Sequence, residues 1–386
     1  MAASAGLVRS GRVRAKLHSL AGRAAVPVAV QLELTQRCNL RCCHCYLGGS
    51  VSSELPTRRW LELVAEIREL GCMQVSLTGG EIALRGDWLE IAERVRQLGM
   101  MLTVLTNGTL MAPEELDQLA KLCPSRVSVS IYGPCAAVHE AVTGVAGSFE
   151  KSVATVRHLT RRGIRVRAAI VLMRRSFAAY GATRDFALSL GCEPVFDFTV
   201  DPTALGGTDV LAHRLSTAQL NDFLLREIVP TRHSRPRAGD ELAAHPRERV
   251  VGECGAGSSS AFVSAAGGLY PCVGFLPGFG SVATRPFKSA WHSEKATRHR
   301  RRMSRVLAAC QSCEAADGCV STCPRRSLVE MGDSALPTEW SCHIAKVLHD
   351  SSQMKDDVNG EYPPWVVAGQ QGVSDEEGMA GSDDRE

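Results

Sequence analysis

One short segment of the chain places three cysteines close enough together to bind metal. Cys38, Cys42 and Cys45 stand in a C-x3-C-x2-C spacing directly after the apolar run Val26–Leu34, which the pattern predicts as a buried strand. Three thiolates from one loop can hold three irons of a [4Fe–4S] cluster and leave the fourth iron without a protein ligand. A structural zinc knuckle is the alternative for the same residues.

The residues around these cysteines resemble the signature of the radical SAM superfamily. In that family the open iron of the reduced cluster chelates and cleaves S-adenosylmethionine (SAM), and an aromatic or apolar residue precedes the last cysteine. His44 stands at that place. Tyr46 follows the last cysteine, as it often does in the family, and is therefore a predicted SAM-binding residue. We interpret Cys43 as a bystander.

Composition favours a cytoplasmic enzyme that binds neither nucleic acid nor membrane. The 386 residues suffice for one large and one smaller domain, and no apolar run approaches the length of a membrane span. The formal net charge of +3 gives no general attraction to nucleic acid. The 15 cysteines are mostly clustered and follow no secretory signal, which favours metal ligation in a reducing compartment over disulfides.

Strand and helix patterns alternate through the first half of the chain. The predicted strands are Val28–Leu34, Met73–Thr78, Met101–Leu105, Arg126–Ile131, Ile164–Leu172 and Pro194–Thr199. Such alternation predicts a parallel sheet with right-handed crossovers. Six units make an incomplete (β/α)6 barrel, the α/β fold that the resemblance implies, and an incomplete barrel leaves one side open to a large substrate.

In a barrel of this kind, chemistry belongs at the carboxyl ends of the strands. Gly79, Gly80 and Glu81 follow the second predicted strand. Two glycines let the backbone approach a ligand closely, and a carboxylate can accept from an ammonium group. The triplet resembles the family motif that holds the amino group of SAM, although Ile82 replaces the usual proline.

Two further polar residues lie at strand ends. Asn107 follows the third strand and Ser130 ends the fourth. In similar enzymes these positions contact the sugar or carboxylate of SAM, whereas an ordinary turn and an ordinary strand hydroxyl are the alternatives. After the sixth strand the repeat stops, and four residues there are interpreted as solvated loop charges: Asp201, Asp209, His213 and Arg214.

A second group of cysteines occupies the last third of the chain. Its members are Cys254, Cys272, Cys310, Cys313, Cys319, Cys323 and Cys342. Taken alone, their spacings fit zinc or iron–sulfur ligation equally well, and the first cysteine loop favours iron–sulfur. Four isolated cysteines in apolar surroundings are predicted to be buried core thiols without chemistry: Cys72, Cys123, Cys135 and Cys192.

This second group resembles the SPASM domain, which carries auxiliary [4Fe–4S] clusters. The resemblance assigns Cys310, Cys313, Cys319 and Cys342 to one cluster, and Cys254, Cys272 and Cys323 to another. Full members of the family have an eighth cysteine shortly after the first, where this chain has GAGSSS at residues 255–260. The second cluster therefore has three cysteines and an iron open to a substrate thiolate or other outside ligand, or it is a smaller cluster.

Val273 follows Cys272, where relatives that oxidise a Ser or Cys side chain carry an aspartate. A sulfatase-maturase role is therefore disfavoured.

Five regions are predicted along the chain. A basic extension at residues 1–26 precedes the radical SAM partial barrel at 27–229, and a transit peptide is the alternative for that extension. An arginine- and proline-rich connector spans 230–253, the cysteine-rich domain spans 254–350, and an acidic, disordered tail spans 351–386.

The resemblance implies an enzyme that cleaves SAM reductively and uses the 5′-deoxyadenosyl radical to oxidise or cross-link a ribosomally made peptide. Its cofactors are a SAM-binding [4Fe–4S] cluster and one or two auxiliary clusters. Its expected partners are the peptide, a flavodoxin- or ferredoxin-type electron donor and, where leader recognition is separate, a leader-binding protein. Two alternatives are a radical SAM oxidase of a haem-pathway tetrapyrrole and a non-catalytic metal-binding scaffold.

Overall fold

The fold is built on one nine-stranded sheet. The computed structural model describes residues 16–47, 53–230, 254–303, 310, 312–317, 319 and 323–353. Its strands are β1 Ala29–Glu33, β2 Gln74–Thr78, β3 Met101–Thr106, β4 Arg126–Ser130, β5 Val166–Val171, β6 Glu193–Asp197, β7 Ser260–Val263, β8 Gly268–Tyr270 and β9 Gly280–Ser281. They stand in the order β6-β5-β4-β3-β2-β1-β7-β8-β9, so β6 and β9 form opposite edges and the sheet is not closed. Strands β1 to β7 run parallel, and β8 and β9 are antiparallel additions.

The α-helices between β1 and the connector are Thr57–Glu69, Trp88–Gln97, Pro113–Lys121, Ala136–Thr143, Ser148–Arg161, Tyr180–Ser189 and Thr217–Phe223. Those after it are Phe287–Trp291, Glu294–Met303, Pro324–Met331 and Glu339–Gln353.

The two faces of the parallel strands differ in polarity, which determines where the helices pack. Leu32, Leu77 and Val104 lie on the buried face, where helix side chains such as Trp60 and Trp88 join the same apolar core. The alternate positions are only half-buried and largely polar: Gln31, Ser76, Thr103, Ser128 and Arg167. A sheet with helices on one face and polar side chains on the other matches the predicted partial barrel.

The six predicted barrel strands are confirmed, each within a few residues of its predicted ends. Two helices, Ala136–Thr143 and Ser148–Arg161, lie between β4 and β5, where a simple alternation of strand and helix predicts one. Asp87 precedes the helix Trp88–Gln97 but does not cap it through its side chain, because its carboxylate accepts from Arg85 at 2.6 Å and from Thr57. An ionic partner two residues away therefore outcompetes the helix terminus.

The cysteine-rich region joins the barrel directly. Its first strand, Ser260–Val263, pairs in parallel with β1, with Ala29 opposite Ser260. On the helical side, the Trp291 indole nitrogen donates to the Ala25 carbonyl oxygen at 2.6 Å. The edge of the barrel next to β1 is therefore covered by chain that lies beyond the connector in sequence.

Several predictions concern residues outside the described ranges. These are most of the basic extension (1–15), nearly all of the connector (231–253) and most of the acidic tail (354–386). Residues 16–23 of the predicted extension are helical, and the helix Glu339–Gln353 runs into the first residues of the predicted tail. Within the described part of the chain, no helix is long and apolar enough to cross a membrane.

The prediction for the isolated cysteines is half right. Cys72 and Cys192 are buried, as expected, whereas Cys123 and Cys135 are exposed. The exposed pair stand at a helix end and at a helix start, where neighbouring apolar residues turn inward and the cysteine does not. Apolar neighbours in sequence therefore did not guarantee burial.

Candidate iron–sulfur and SAM site

The first cysteine loop lies directly on the turn that follows β2. The Gly80 amide donates to the Thr35 carbonyl oxygen at 2.9 Å. A Cβ atom on Gly79 would lie 2.6 Å from that same oxygen. One on Gly80 would lie 2.8 Å from the Cβ atom of Cys38. Only glycine allows two backbones to approach this closely, so the predicted glycine pair supports the cysteine loop.

The other side of the loop rests on the end of the helix Ala136–Thr143. The Arg41 amide donates to the Thr143 carbonyl oxygen at 2.8 Å, and the Cys43 amide donates to the Val142 carbonyl oxygen at 3.1 Å. The loop is therefore held by backbone hydrogen bonds on two sides, which leaves its side chains free for other contacts.

Asn107 contacts the cysteine loop from the end of β3. Its side-chain nitrogen Nδ2 donates to Asn39 Oδ1 at 3.0 Å and lies 3.8 Å from Cys38 Sγ. The Leu40 amide also donates to that sulfur, at 3.4 Å. N–H groups directed at a cysteine sulfur stabilise its thiolate and tune a cluster that it binds. Asn107 is thus brought to the predicted site, while its contact with SAM stays a prediction.

Glu81 is fully buried and hydrogen-bonded within the chain. Its carboxylate accepts from Thr106 Oγ1 at 2.6 Å, from the Asn107 amide at 2.6 Å and from the Ala83 amide at 3.1 Å. Burial raises the pKa of Glu81, and these hydrogen bonds oppose that shift. The carboxylate therefore fixes the turn that carries Asn107. Its predicted contact with the amino group of SAM stays a prediction.

Replacing Glu81 with alanine is expected to lower the free energy of unfolding by roughly 3 kcal/mol, because three buried donors would lose their acceptor. Glu81→Gln should lose less, since its amide oxygen still accepts. Glu93→Ala, at an exposed helix position, is the control and should change stability by no more than about 0.5 kcal/mol. Urea denaturation measures all three variants, and equal stability of Glu81→Ala and the unchanged protein would contradict this role.

Ser130 reaches the site through Tyr132, which the sequence analysis did not single out. Burial raises the pKa of the Tyr132 hydroxyl, and the charge of the neighbouring Cys42 thiol raises it further, while Ser130 acts in the opposite direction. The His44 ring packs edge-on against Tyr132 with 5.0 Å between ring centroids, and burial lowers the pKa of His44 to about 4. Tyr132 thus joins the fourth strand to the cysteine loop.

Tyr46 points toward a buried carboxylate on β1. Its hydroxyl lies 3.5 Å from Glu33 Oε1, while Glu33 Oε2 accepts from the Gln36 side chain at 3.0 Å and from the Ala265 amide at 3.3 Å. Burial raises the pKa of Glu33. Because Ala265 lies beyond the connector, these hydrogen bonds around Glu33 join the cysteine loop to the C-terminal region. The predicted role of Tyr46 in SAM binding stays a prediction.

The three thiols of the first loop lie near one another. Burial, followed by the charges of Cys45 and Cys38, raises the pKa of Cys42 to about 12. Among the described residues, no three His, Cys, Asp or Glu side chains converge enough to hold a single metal ion. A single zinc ion would hold each sulfur at about 2.3 Å and so draw the three thiolates close together. A four-iron cluster binds each thiolate through a different iron and so leaves the sulfurs further apart. Three neighbouring thiols with N–H donors to one of them fit such a cluster.

The later cysteines fall into two sets. The first, which we call the auxiliary set, consists of Cys254, Cys272 and Cys323. Burial raises the pKa of Cys254 and of Cys272, and the charges of neighbouring thiols in the set raise both further. In the second set, burial raises the pKa of Cys342, and the charges of Cys313 and Cys319 raise it further. The Cys313 amide donates to the Cys310 carbonyl oxygen at 3.3 Å. This grouping agrees with the one that the resemblance implied, and the ligand roles themselves stay predictions.

A loop after β6 lies between the first cysteine loop and the auxiliary set. Its Ala204 amide donates to the Tyr46 carbonyl oxygen at 2.8 Å. On its other side, a Cβ atom on Gly274 would lie 2.8 Å from Ala204 Cα. Residues 201–207 therefore contact the residue after Cys45 and the turn after Cys272.

Two charges expected to be solvated in this loop region are paired instead. Arg326 Nη2 lies 2.7 Å from Asp201 Oδ1, and Arg214 Nη2 lies 2.5 Å from Glu330 Oε1. The prediction of solvated charges is wrong for Asp201 and Arg214, because their partners stand on a helix far along the chain.

Four residues around the site were not predicted from the sequence, because their contacts depend on distant partners: Glu33, Asn39, Thr106 and Tyr132. The signal that could have found most of them is position. Glu33 and Thr106 end strands and Tyr132 follows one, at the edge of the sheet where the carboxyl ends of parallel strands meet.

Comparison with known families agrees with this geometry. The radical SAM superfamily matches residues 32–187. The SPASM family, described as an iron–sulfur cluster-binding domain, matches residues 254–314. The chain therefore contains a radical SAM domain that is followed by a SPASM domain.

Individual relatives span most of the chain. An AdoMet-dependent heme synthase of Methanosarcina barkeri is 28% identical over 330 residues, which are 80% of this chain and 94% of the relative. A PqqA peptide cyclase of Streptomyces rochei is 26% identical over 360 residues, or 89% and 97%. The crystal structure of Streptococcus suis SuiB bound to precursor peptide SuiA has the same fold, with a TM-score of 0.64, 16% identity, and 82% and 76% of the chains covered.

Proposed function

We propose that this protein is a radical SAM peptide maturase that oxidises or cross-links a ribosomally made peptide. The observation that carries the proposal is the contact of a three-cysteine loop with the Gly79–Glu81 turn and Asn107 at the carboxyl ends of the barrel strands. The sheet does not close between its edge strands β6 and β9, which suits a substrate as large as a peptide.

The proposed cluster ligands are Cys38, Cys42 and Cys45, and the proposed SAM contacts come from the surrounding strand ends. When bound, the cluster and SAM supply a 5′-deoxyadenosyl radical that abstracts hydrogen from an unactivated carbon. The chain's own part is to orient SAM and to exclude water. The proposed contacts are Tyr46, Gly79, Gly80, Glu81, Asn107 and Ser130.

The auxiliary set and the cysteines from Cys310 to Cys342 are proposed to hold two further iron–sulfur clusters. Such clusters can take up the electron released when a substrate radical is oxidised, which suits a net two-electron oxidation. The proposed boundaries are 27–229 for the barrel, 230–253 for the connector and 254–350 for the cluster domain.

A peptide substrate is supported by the relatives. The Streptomyces relative is named a peptide cyclase, and the SuiB structure contains a precursor peptide. We further propose cytoplasmic action with a flavodoxin- or ferredoxin-type electron donor, and a separate leader-binding protein where the barrel mouth does not itself bind the leader.

A haem-pathway tetrapyrrole is the second candidate substrate. It is favoured by the heme synthase relative, which aligns over 94% of its own length. Both candidates use the same cluster and SAM site, so they differ only in the molecule that enters the barrel mouth.

Anaerobic purification followed by a dithionite-driven SAM cleavage assay tests the chemistry. We expect brown protein containing iron and sulfide, and release of 5′-deoxyadenosine. Co-expression with a candidate precursor peptide, followed by mass spectrometry, tests the substrate, and an oxidative cross-link should remove two hydrogens. Visible pigment with an unmodified peptide would favour the tetrapyrrole, and colourless zinc-containing protein without nucleoside release would favour the scaffold alternative.

A further inference from the structure

Two buried arginines lie beside the auxiliary set. Arg325 and Arg326 follow Cys323 in the first turn of the helix Pro324–Met331, and they are only 4% and 5% exposed. Arginine is almost never buried this fully without a partner of opposite charge. The partners available to each side chain therefore decide what this part of the molecule can bind.

Arg326 has its partner within the chain. Its Nε and Nη2 atoms lie 2.8 Å and 2.7 Å from Asp201 Oδ1. This pair accounts for the charge of Arg326 and occupies the carboxylate of Asp201.

Arg325 has no comparable partner. Its Nη2 atom donates to the carbonyl oxygens of Pro202 at 2.5 Å and Thr203 at 2.8 Å. Its Nη1 atom is 4.0 Å from Asp201 Oδ2, and that carboxylate is already paired with Arg326. Its Nε atom has no hydrogen-bond partner among the described residues. Arg325 is thus a buried cation with an unused donor.

The other nearby carboxylate is also taken. Glu330 accepts from Arg214 Nη1 at 3.2 Å and Nη2 at 2.5 Å. In the described part of this region, three guanidinium groups therefore share two carboxylates. A buried charge without a counter-ion is costly, which favours binding of an anion here.

The unpaired guanidinium lies against the cysteine turn of the auxiliary set. A Cβ atom on Gly274 would lie 2.8 Å from both Nε and Nη2 of Arg325, and Gly274 stands two residues after Cys272. Arg325 therefore stands two residues after Cys323 on its own helix and against the turn that follows Cys272. The free donor and the auxiliary set thus share one buried region.

We propose that Arg325 is the anion-binding residue of the auxiliary site. The place of the missing eighth cysteine then takes an anionic ligand from outside the chain, a carboxylate or thiolate, with Arg325 as its counter-charge. This inference rests on the proposed auxiliary cluster and specifies further that its outside ligand is an anion. No electron transfer is part of the proposal, since the step is ligation only.

Cyanide binding to the auxiliary cluster tests this proposal. The full chain carrying Cys38→Ala, Cys42→Ala and Cys45→Ala lacks the SAM-binding cluster, so only the auxiliary set can offer an open iron. Under anaerobic conditions, ¹³C-cyanide is titrated and its coupling to the reduced cluster is measured by electron–nuclear double resonance. Imidazole, a neutral ligand, is the matched probe.

Arg325→Met is expected to weaken cyanide binding at least tenfold and to leave imidazole binding unchanged. Arg325→Lys should retain most of the affinity, because the charge remains. Gly274→Ala should weaken cyanide binding too, since the added Cβ atom displaces the guanidinium without removing its charge. Equal cyanide affinity in Arg325→Met and its parent would overturn the proposal.

Two further outcomes would overturn it for different reasons. A parent protein without iron at the auxiliary set would refute the auxiliary cluster itself, and the role of Arg325 with it. Glu253 precedes Cys254 and lies outside the described residues. If cyanide bound only after Glu253→Gln, the ligand would be a side chain of this protein, and the proposed outside anion would be wrong.

Discussion

Replacing Cys38, Cys42 and Cys45 with alanine is expected to reduce 5′-deoxyadenosine formation at least about a hundredfold. Loss of a mere supporting contact around a metal commonly costs 10- to 100-fold in metal affinity, and this change removes every proposed protein ligand of the SAM-binding cluster. The three thiols come from one loop, and the one thiol that would remain there, Cys43, lies 3.9 Å from Met173 Sδ. The measurement is nucleoside release under dithionite, with iron content determined in parallel.

Cys123→Ala is the matched control because it removes an exposed thiol at a distance from the loop. It should leave both iron content and nucleoside release unchanged. Iron in the triple variant should fall only by the share of one cluster, since the later cysteines remain. Undiminished nucleoside release from the triple variant would refute the proposed enzymatic function at its first step.

Gly80→Ala is expected to weaken SAM binding about tenfold to a hundredfold. The added Cβ atom would overlap the Arg37 carbonyl oxygen and approach the Cβ atom of Cys38 to 2.8 Å. Both neighbours belong to the cysteine loop, so the loop must move away from the turn. Overpacking of this kind costs about 1–3 kcal/mol, and each 1.4 kcal/mol corresponds to a tenfold change in affinity.

Gly86→Ala provides the control for the same chemical change. A Cβ atom on Gly86 would meet nothing within 4 Å, although the residue lies only six positions further along. Equilibrium dialysis of reconstituted protein with SAM compares the two variants. If Gly80→Ala and Gly86→Ala bound SAM equally well, the close contact between turn and loop would have no part in the site.

The barrel could be predicted from the sequence because the hydrophobic pattern of each strand and helix is local. Buried strands such as Ala29–Glu33 and Gln74–Thr78 alternate with amphipathic helices, and each signal lies within one element. The pairing of Ser260–Val263 with β1 could not be read this way. That pairing joins strands separated by the whole barrel and the connector, and nothing in either strand specifies its neighbour.

The site shows the same division. The glycine at position 80 predicted a close backbone approach, but only the fold identified Arg37 and Cys38 as the residues approached. Glu81 was expected to face a ligand, and the fold surrounds its carboxylate with donors from Thr106 and Asn107. Hydrogen-bond partners that are distant in sequence are fixed by strand register, which single residues do not encode.

By itself, the sequence determined the first cysteine loop, because Cys38, Cys42 and Cys45 lie within eight residues and their spacing alone brings the thiols together. Only the tertiary structure decided which groups surround that loop and which charges remain unpaired. Asp201 is neutralised by Arg326, while Arg325 is buried without a carboxylate of its own. Those outcomes depend on how a loop after β6 packs against a helix far along the chain, and pairing across that distance is a property of the folded molecule.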